Sequence, residues 1–534
     1  MSQRRFRKLL PLVSILALIL PLLFALAAPV SAATLTVCPA GPPACGYATI
    51  QAAVNAAGDG DTINVYPAAI AYVEQVDLSQ MNPDGDLTLI TVNAAGVPTP
   101  GTVTLDGGGG KAFRMSGGAH NGDVTIDGFV VTSSGNGVDL DVVGSHDVIV
   151  RNVNADTSGV SSDGIHIKLW NEGGGSITVE NCVTDNNDDD GIDLRYWAAN
   201  VWVTNCSASG NGDRGLEIDD IPGNVTISGV TTNGNSQGWR LSGIGGNVTG
   251  TRCTASNNPA GNGISIDRAG GVTITDTTAN GNDSTGIGVY NSGKTTITNC
   301  TANQNGSNGF GVNYGSGGDM LISACAAQGN EYGVYIALMP TAASLEVRGS
   351  IICGSTVEGL HVSSGPVTVD ARGNWWGCPE GPNNPPCDYI DPDSATVNSA
   401  PWIDTITPSA PLSATAGEPT AVSFQFSGGG GTVFLGKGPG DLHGTPTFTV
   451  GTDNGTVSGG FINEPNGVLA ATLVPALAGT ATVWVDGPCG LDAESTLRTL
   501  AREEFVPEPG SVMLLGSGLM GLAGYAALRW RTRG

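Results

Sequence analysis

The stretch from Ile177 to Ile218 reads ITVENCVTDNNDDDGIDLRYWAANVWVTNCSASGNGDRGLEI, and it makes the same statement twice. Ile177-Thr178-Val179 is matched by Val201-Trp202-Val203, Cys182 by Cys206, Asn187 by Asn211, and Gly191-Ile192-Asp193-Leu194 by Gly215-Leu216-Glu217-Ile218. Apolar and polar residues alternating over four positions carry the period of a β-strand. Strands this short gain little alone, but stacked on their own copies about 4.8 Å apart they become rungs of a continuous sheet. The repeat predicts a solenoid with coils of about 24 residues.

Carried outward, the glycine that opens apolar-x-apolar recurs at Gly137, Gly164, Gly191, Gly215, Gly238, Gly263, Gly286, Gly309, Gly333 and Gly359, in steps of 23 to 27 residues. The same register aligns Phe129, Val153, Cys182, Cys206, Val230, Cys253, Thr277, Cys300, Cys325 and Ser350. A position that accepts Phe, Val and Cys alike must face inward, so these cysteines are core packing. Five residues on come Asn187, Asn211, Asn235, Asn258, Asn282, Asn305 and Asn330. Asparagine tolerates the left-handed backbone of a tight bend, and its amide can bond to the copies above and below, which predicts a structural asparagine ladder.

The 534-residue chain is too long for one compact core, and its 81 glycines with 13% charged residues fit a repetitive β architecture. It has 11 cysteines, an odd number. Cys38 with Cys45, and Cys378 with Cys387, are short-range pairs in Pro/Gly-rich loops and are read as disulfides; stacked neighbours such as Cys182 and Cys206 have unfavourable geometry for one. From Trp402 to about Leu500 the coil period stops, and alternating segments such as Ala421-Val422-Ser423-Phe424-Gln425-Phe426 and Thr480-Ala481-Thr482-Val483-Trp484-Val485 take over.

These columns resemble the pectate-lyase-like superfamily of right-handed parallel β-helices. Tyr47-Ala48-Thr49-Ile50-Gln51-Ala52-Ala53-Val54 followed by Gly60-Asp61-Thr62-Ile63-Asn64-Val65 looks like the capping helix and first strand of secreted members, and Gly373-Asn374-Trp375-Trp376-Gly377 like their exit. The expected fold is all-β, with a β-helix and N-terminal cap over residues 34–400 and a small β-sandwich over 401–500 that loosely resembles bacterial immunoglobulin-like domains. The scaffold alone names no activity, since lyases, hydrolases, epimerases, adhesins and tailspikes share it.

Both ends read as addresses. Arg4, Arg5, Arg7 and Lys8, an apolar run from Leu9 to Ala28 and Val30-Ser31-Ala32 form a signal peptide over residues 1–33, for signal peptidase to cut after Ala32 or Ala33; an uncleaved anchor is the alternative. Over residues 501–534, Pro507-Glu508-Pro509, an apolar stretch from Ser511 to Leu528 and Arg529, Arg531 and Arg533 have the make-up of a single membrane span. Together they resemble the bacterial PEP-CTERM sorting signal, which implies an exosortase as processing partner and delivery to the cell surface or extracellular matrix. The region between the two basic ends holds 15 basic against 48 acidic residues, a net charge near −33. Such a surface repels nucleic acid and anionic lipid, so membrane contact is expected only through the terminal signals.

Chemistry on a solenoid must come from outward residues on successive coils. Just before the repeat glycine stand Asp163, Asp190, Arg214, Gln237 and Asn262; two after it, His166, Asp193, Glu217, Arg240 and Ser265; four after it, Lys168, Arg195, Asp219, Ser242 and Asp267. Later coils carry Thr285, Asn308, Gly288 and Gly311 instead, so the charge marks a local patch. In Asn187-Asp188-Asp189-Asp190-Gly191-Ile192-Asp193 several carboxylates surround one bend and supply the hard oxygen ligands that calcium prefers; the same segment also suits a plain turn. It resembles the Asp-Asp-Gly-x-Asp motif of family-nine polysaccharide lyases, which implies calcium held by Asp189, Asp190 and Asp193 with Asp163 from the preceding coil. In that family the metal acidifies the proton α to a uronate carboxylate and a lysine on a later coil removes it. This chain has no lysine between Lys168 and Lys294, so Arg195, Arg214 and Arg240 become the candidate bases, with Lys168 and His166 behind them. Trp170, Tyr196 and Trp197 lie beside the patch and suit either stacking on sugar rings or covering the sheet edge. Five scattered histidines and seven methionines speak against copper or zinc.

Two functions follow as expectations: a calcium-dependent enzyme acting on polysaccharide, a polyuronate lyase in the first place, or a non-catalytic surface protein that binds matrix polysaccharide or displays a rigid rod. With a surface near −33, polyuronate binding would need a bridging cation and neutral glycan binding would not.

Overall fold

The computed structural model describes residues 32–41, 43–81, 85–116, 122–157, 159, 161–170, 174–313, 318–337, 344–363, 366–411, 413–428, 431–432, 449–463, 468–486, 489 and 493–500. The signal peptide, but for its last residues, and the whole C-terminal sorting segment lie outside them. Among the described residues no helix is long and apolar enough to cross a membrane.

The alternating strands stack in register, each parallel to its copies one coil away. Ile165 pairs with Ile192, then Leu216, Trp239, Ile264, Ile287, Phe310, Val334 and Leu360. A second face repeats the pattern through Val148, Ile177, Val201, Val225, Val248 and Val272. All of these side chains point inward and are buried, so one continuous apolar core runs along the axis. The outcome is the right-handed β-solenoid expected, about 14 coils of roughly 25 residues with almost no helix. Where the core takes a large residue it gives up a neighbour: a Cβ on Gly250 would lie 3.3 Å from the Trp239 ring.

The entrance is capped by the helix Ile50–Ala56, whose Ile50, Ala53 and Val54 are buried. Its first amides are satisfied: Thr49 accepts from Ala52 N at 3.2 Å, and Glu74 accepts from Ile50 N and Gln51 N at 2.8 and 3.0 Å.

The inward cysteine column is buried throughout, with Cys182, Cys206, Cys253, Cys300 and Cys325 as free thiols. The asparagine ladder is also as read: Asn187 Nδ2 donates to Asn211 Oδ1 and Asn211 Nδ2 to Asn235 Oδ1, both at 3.1 Å, and the chain of bonds continues to Asn330. One detail differs. The left-handed bend is taken by the preceding residue, Asn186, Gly210, Gly234, Asn257, Gly281, Gln304 or Gly329, which frees the ladder asparagine to turn its amide inward. The repeat glycines are likewise needed for room: a Cβ on Gly191 or Gly215 would come within 2.6 Å of the Asn211 or Asn235 amide.

Cys38–Cys45 and Cys378–Cys387 are disulfides, and Cys353–Cys489 is a third that no local spacing announced. It ties a late coil to two small sheets formed after Thr405. Val422, Phe424, Leu473, Val483 and Leu497 from those sheets share an apolar cluster with Ile351 and Trp375 of the last coils. The immunoglobulin-like identity of this region rests on its sequence pattern alone.

Candidate functional site

The strands Val138–Val143, Ile165–Trp170, Ile192–Arg195, Arg214–Asp219 and Gln237–Thr251 lie side by side in register. Pairing puts Asp139, His166, Asp193, Glu217 and Arg240 in one outward row, and Asp141, Lys168, Arg195, Asp219 and Ser242 in the next. Asp163, Asp190 and Arg214 flank them before the repeat glycines. Although the rows face outward, Asp139, Asp163, Asp190, Asp193 and Glu217 are all buried, because long neighbouring side chains cover them.

Asp163 and Asp190 each use one oxygen for structure. Asn136 Oδ1 accepts from Asp163 N at 3.1 Å, Asp163 Oδ1 from Asp190 N at 3.1 Å and Asp190 Oδ1 from Arg214 N at 2.7 Å, a ladder that ties coil to coil. The second oxygen faces the site: Asp163 Oδ2 lies 3.5 Å from His166 Nδ1, and Asp190 Oδ2 lies 3.8 Å from Arg214 Nη1. The His166 ring spans three carboxylates, with Nδ1 also 3.6 Å from Asp139 Oδ1 and Nε2 3.3 Å from Asp193 Oδ2. Lys111 closes on Asp139 from the preceding coil.

The arginines are pinned. Arg195 donates to Asp193 Oδ1 at 2.7 Å and to Glu217 Oε2 at 2.8 Å. Arg214 reaches Asp213 at 2.8 Å and Glu217 at 3.3 Å, and Arg240 reaches Glu217 and, at 3.1 Å, Asp219. Burial tends to raise the Glu217 carboxyl, yet Arg214, Arg195 and Arg240 outweigh it and hold it below its ordinary value. Burial opposes the Arg195 charge, but its bond to Asp193 prevails and raises its pKa, which makes it a cation and a poor base.

The other buried acids, which no second or third arginine reaches, behave oppositely. Burial pushes Asp163 up to about 7, helped by the Asp193 charge, and Asp190 up to about 9, helped by Glu217. Asp193 rises to about 6 through burial despite its bond to Arg195. Burial, with Lys168 and Arg195 nearby, pushes His166 down to about 3, so its ring is neutral beside Asp163 and Asp193, which are themselves reluctant to ionise. Neighbouring groups whose proton affinities are driven apart are the raw material of acid and base catalysis.

The carboxylates form three overlapping groups with ligand atoms within 4.8 Å of one another: Asp163 with His166 and Asp193; Asp190 with Asp193 and Glu217; Asp189 with Asp190 and Asp213. These acidic groups could hold a metal ion. The four expected ligands are spread over all three groups, joined through Asp190 and Asp193. Beside the patch, Trp170 and Tyr196 have ring centroids 4.7 Å apart, and Trp170 and Trp197 are 42% and 43% exposed.

Sequence reading overlooked Lys111, Asn136 and Asp139, although Asp139 stands two after Gly137, in the very row that holds His166. It also stopped too early: beyond Gly288 and Gly311 the row becomes aromatic, with Tyr335 and His361.

Residues 111–264 and 242–375 match the family described as the right handed beta helix region, and residues 505–531 match the PEP-CTERM protein-sorting motif. The chain is a right-handed β-helix protein carrying a PEP-CTERM sorting motif, which marks it for export and for membrane anchoring through its C-terminal end. Among solved structures it is similar to the A-module of Azotobacter vinelandii mannuronan C-5 epimerase AlgE6, at 16% identity and a TM-score of 0.40 over 66% of this chain and 94% of that one. The periplasmic alginate epimerase AlgG matches at 11% identity and 0.34 over 64% and 77%, and tailspike protein 3 of bacteriophage CBA120 at 9% and 0.34 over 70% and 64%. Nothing about activity follows from likenesses this distant. No curated protein matches the chain.

Proposed function

We propose that this exported protein acts on an acidic extracellular polysaccharide by proton transfer at the charged patch, as a lyase on polyuronate. The observation that carries the reading is the neutral, partly buried His166 held between Asp139, Asp163 and Asp193, next to the cations Lys168 and Arg195. Lys168 and Arg195 suit the uronate carboxylate, and Trp170 and Tyr196 suit a sugar ring. The carbon–hydrogen bond α to that carboxylate breaks and its proton passes to one nitrogen of His166, whose other nitrogen yields a proton to the Asp193 carboxylate 3.3 Å away, so the weakly basic ring relays the proton rather than keeping it. The electron pair forms the new double bond, the glycosidic carbon–oxygen bond breaks, and the leaving oxygen takes the proton that Asp163, at about 7, still carries near neutral pH. His166 serves in preference to Arg195, Arg214 and Arg240, whose guanidinium groups are all engaged by carboxylates.

Calcium fits the donor chemistry of Asp189, Asp190 and Asp213, all oxygen ligands brought together from two adjacent coils. Bound there, it would draw charge from the substrate carboxylate and so acidify the neighbouring proton. Exosortase processing and residence on the cell surface or in the matrix belong to the same proposal, supported by the sorting motif at residues 505–531.

A second reading, a rod that binds polysaccharide without changing it, is favoured by the dense pairing of Arg195, Arg214 and Arg240 with Asp193, Asp213, Glu217 and Asp219. The test is incubation of the purified full-length protein with polygalacturonate and with alginate, with and without calcium, following ultraviolet absorbance of unsaturated products. The lyase reading expects product from the wild type and none from His166→Ala or Asp163→Asn. Absence of product, with the polysaccharide still bound, would leave the rod.

A further inference from the structure

The outward row of the charged patch continues past Arg240 through Ser265, Gly288, Gly311, Tyr335, His361 and Asp391, one residue per coil. Tyr335 and His361 stack, with ring centroids 5.0 Å apart and planes 13° from parallel. Tyr332 meets both edge-on, at 5.5 and 5.6 Å. Glu358 Oε2 lies 2.7 Å from His361 Nδ1, which locks the imidazole in orientation. Rings stacked at the coil spacing stand with their faces along the helix axis, so one face of Tyr335 rests on His361 and the other looks toward the coil of Gly311. Gly311 itself offers no side chain there; Asn308 Nδ2 and Thr285 Cγ2 lie 3.3 and 3.2 Å from where its Cβ would stand. Asn308 Nδ2 donates to Thr285 Oγ1 at 3.1 Å, which sets an amide and a hydroxyl on that side of the Tyr335 ring.

We propose that Tyr335 is the stacking wall of a sugar-binding subsite that takes one pyranose ring of the same polysaccharide, at its uncharged face. This rests on the reading of the charged patch as a polysaccharide site. A pyranose presents an apolar face of carbon–hydrogen bonds that matches an aromatic ring, and rim hydroxyls that match amide and hydroxyl partners. From Ser265 to Tyr335 the row carries no charge, so this stretch selects ring and hydroxyls where the patch selects carboxylate. The subsite lies four coils from Arg240, about 19 Å along the same face at about 4.8 Å per coil, so one polysaccharide laid along the axis reaches both. Glu358 and His361 act as positioning residues that hold the wall upright.

The experiment is affinity electrophoresis of the full-length protein through gels containing alginate, polygalacturonate or dextran, comparing wild type, Tyr335→Ala, Tyr335→Phe and His166→Ala, with melting temperatures to check folding. Tyr335→Ala is expected to weaken binding about two- to tenfold, the range a lost stacking contact spans. Tyr335→Phe is expected to bind as wild type, and His166→Ala to keep the Tyr335 dependence. Equal binding by wild type and a folded Tyr335→Ala overturns the subsite and leaves the charged patch untouched. Tyr335-dependent binding with no product from wild type supports the subsite while the lyase reading falls. Should wild type bind none of the three gels, the subsite is overturned.

Discussion

Replacing Asn235 by alanine probes what keeps the coils, and with them the charged rows, in register. Asn235 is fully buried. Its Oδ1 accepts from Asn211 N at 2.8 Å and from Asn211 Nδ2 at 3.1 Å, while its Nδ2 donates to Ala208 O at 3.0 Å. Alanine removes all of these partners at once and leaves two donors and an acceptor in an apolar interior. Each buried group stripped of its partner costs about 1–3 kcal/mol, so the three together should cost about 3–9 kcal/mol. Asn224 is the control, since it makes similar bonds, to Asn200 Oδ1 at 3.2 Å and from Asn247 N at 2.9 Å, but on the exposed outside. Water replaces those partners, and Asn224→Ala should cost less than about 0.5 kcal/mol. Because each coil touches only its neighbours, the damage is local, and hydrogen exchange is the right assay: the Asn211 amide should exchange at least about a hundredfold faster in Asn235→Ala. Equal exchange in the two variants would refute the view that buried asparagine bonds set the register.

Gly215→Ala should destabilise by about 2–4 kcal/mol in urea unfolding, since the new methyl would lie 2.5 Å from Thr232 Cβ and 2.6 Å from Asn235 Nδ2. Stability should fall as pH rises from about 7 to about 9, because the folded chain still holds protons on Asp163 and Asp190, at about 7 and about 9, that the unfolded chain, with ordinary values of 3.8, has released. His166, neutral in folded and unfolded chain over most of that window, does not offset the trend, and Asp190→Asn should flatten the slope measured by thermal melting. Trp170→Ala removes an exposed ring stacked near Tyr196, so it should weaken polysaccharide binding about two- to tenfold in gel retardation and leave the melting temperature unchanged.

The rows themselves were legible because a solenoid copies its cross-section: once Gly164, Gly191 and Gly215 are aligned, every outward and inward position follows. What spacing could not tell was why each residue stands there. The repeat glycines are small because an asparagine amide and a neighbouring side chain occupy the space a Cβ would need, a contact between coils that no single coil displays. The ladder asparagines shed the bend to the residue before them, so the type was right and the conformational reason was not. Partner choice inside the patch was likewise hidden: Arg195 could have served as a base, but in space its guanidinium bridges Asp193 and Glu217. Asp139 and Lys111 were missed because the charged run was counted only from the coil of Gly164, one coil too late.

The bridge between Cys353 and Cys489 spans 136 residues and joins a late coil to the strands that follow the solenoid. An exported chain meets oxidants while still unfolded, with 11 thiols on offer. Cys38–Cys45 and Cys378–Cys387 span only 7 and 9 residues and can close as soon as their loops turn. Cys353 meets Cys489 only after the last coil and the final sheet are built, whereas the five ladder thiols survive unoxidised only if the coils have already enclosed them. The covalent pattern thus predicts an order for oxidative refolding: thiol alkylation should find the five ladder cysteines protected before Cys353 and Cys489 join.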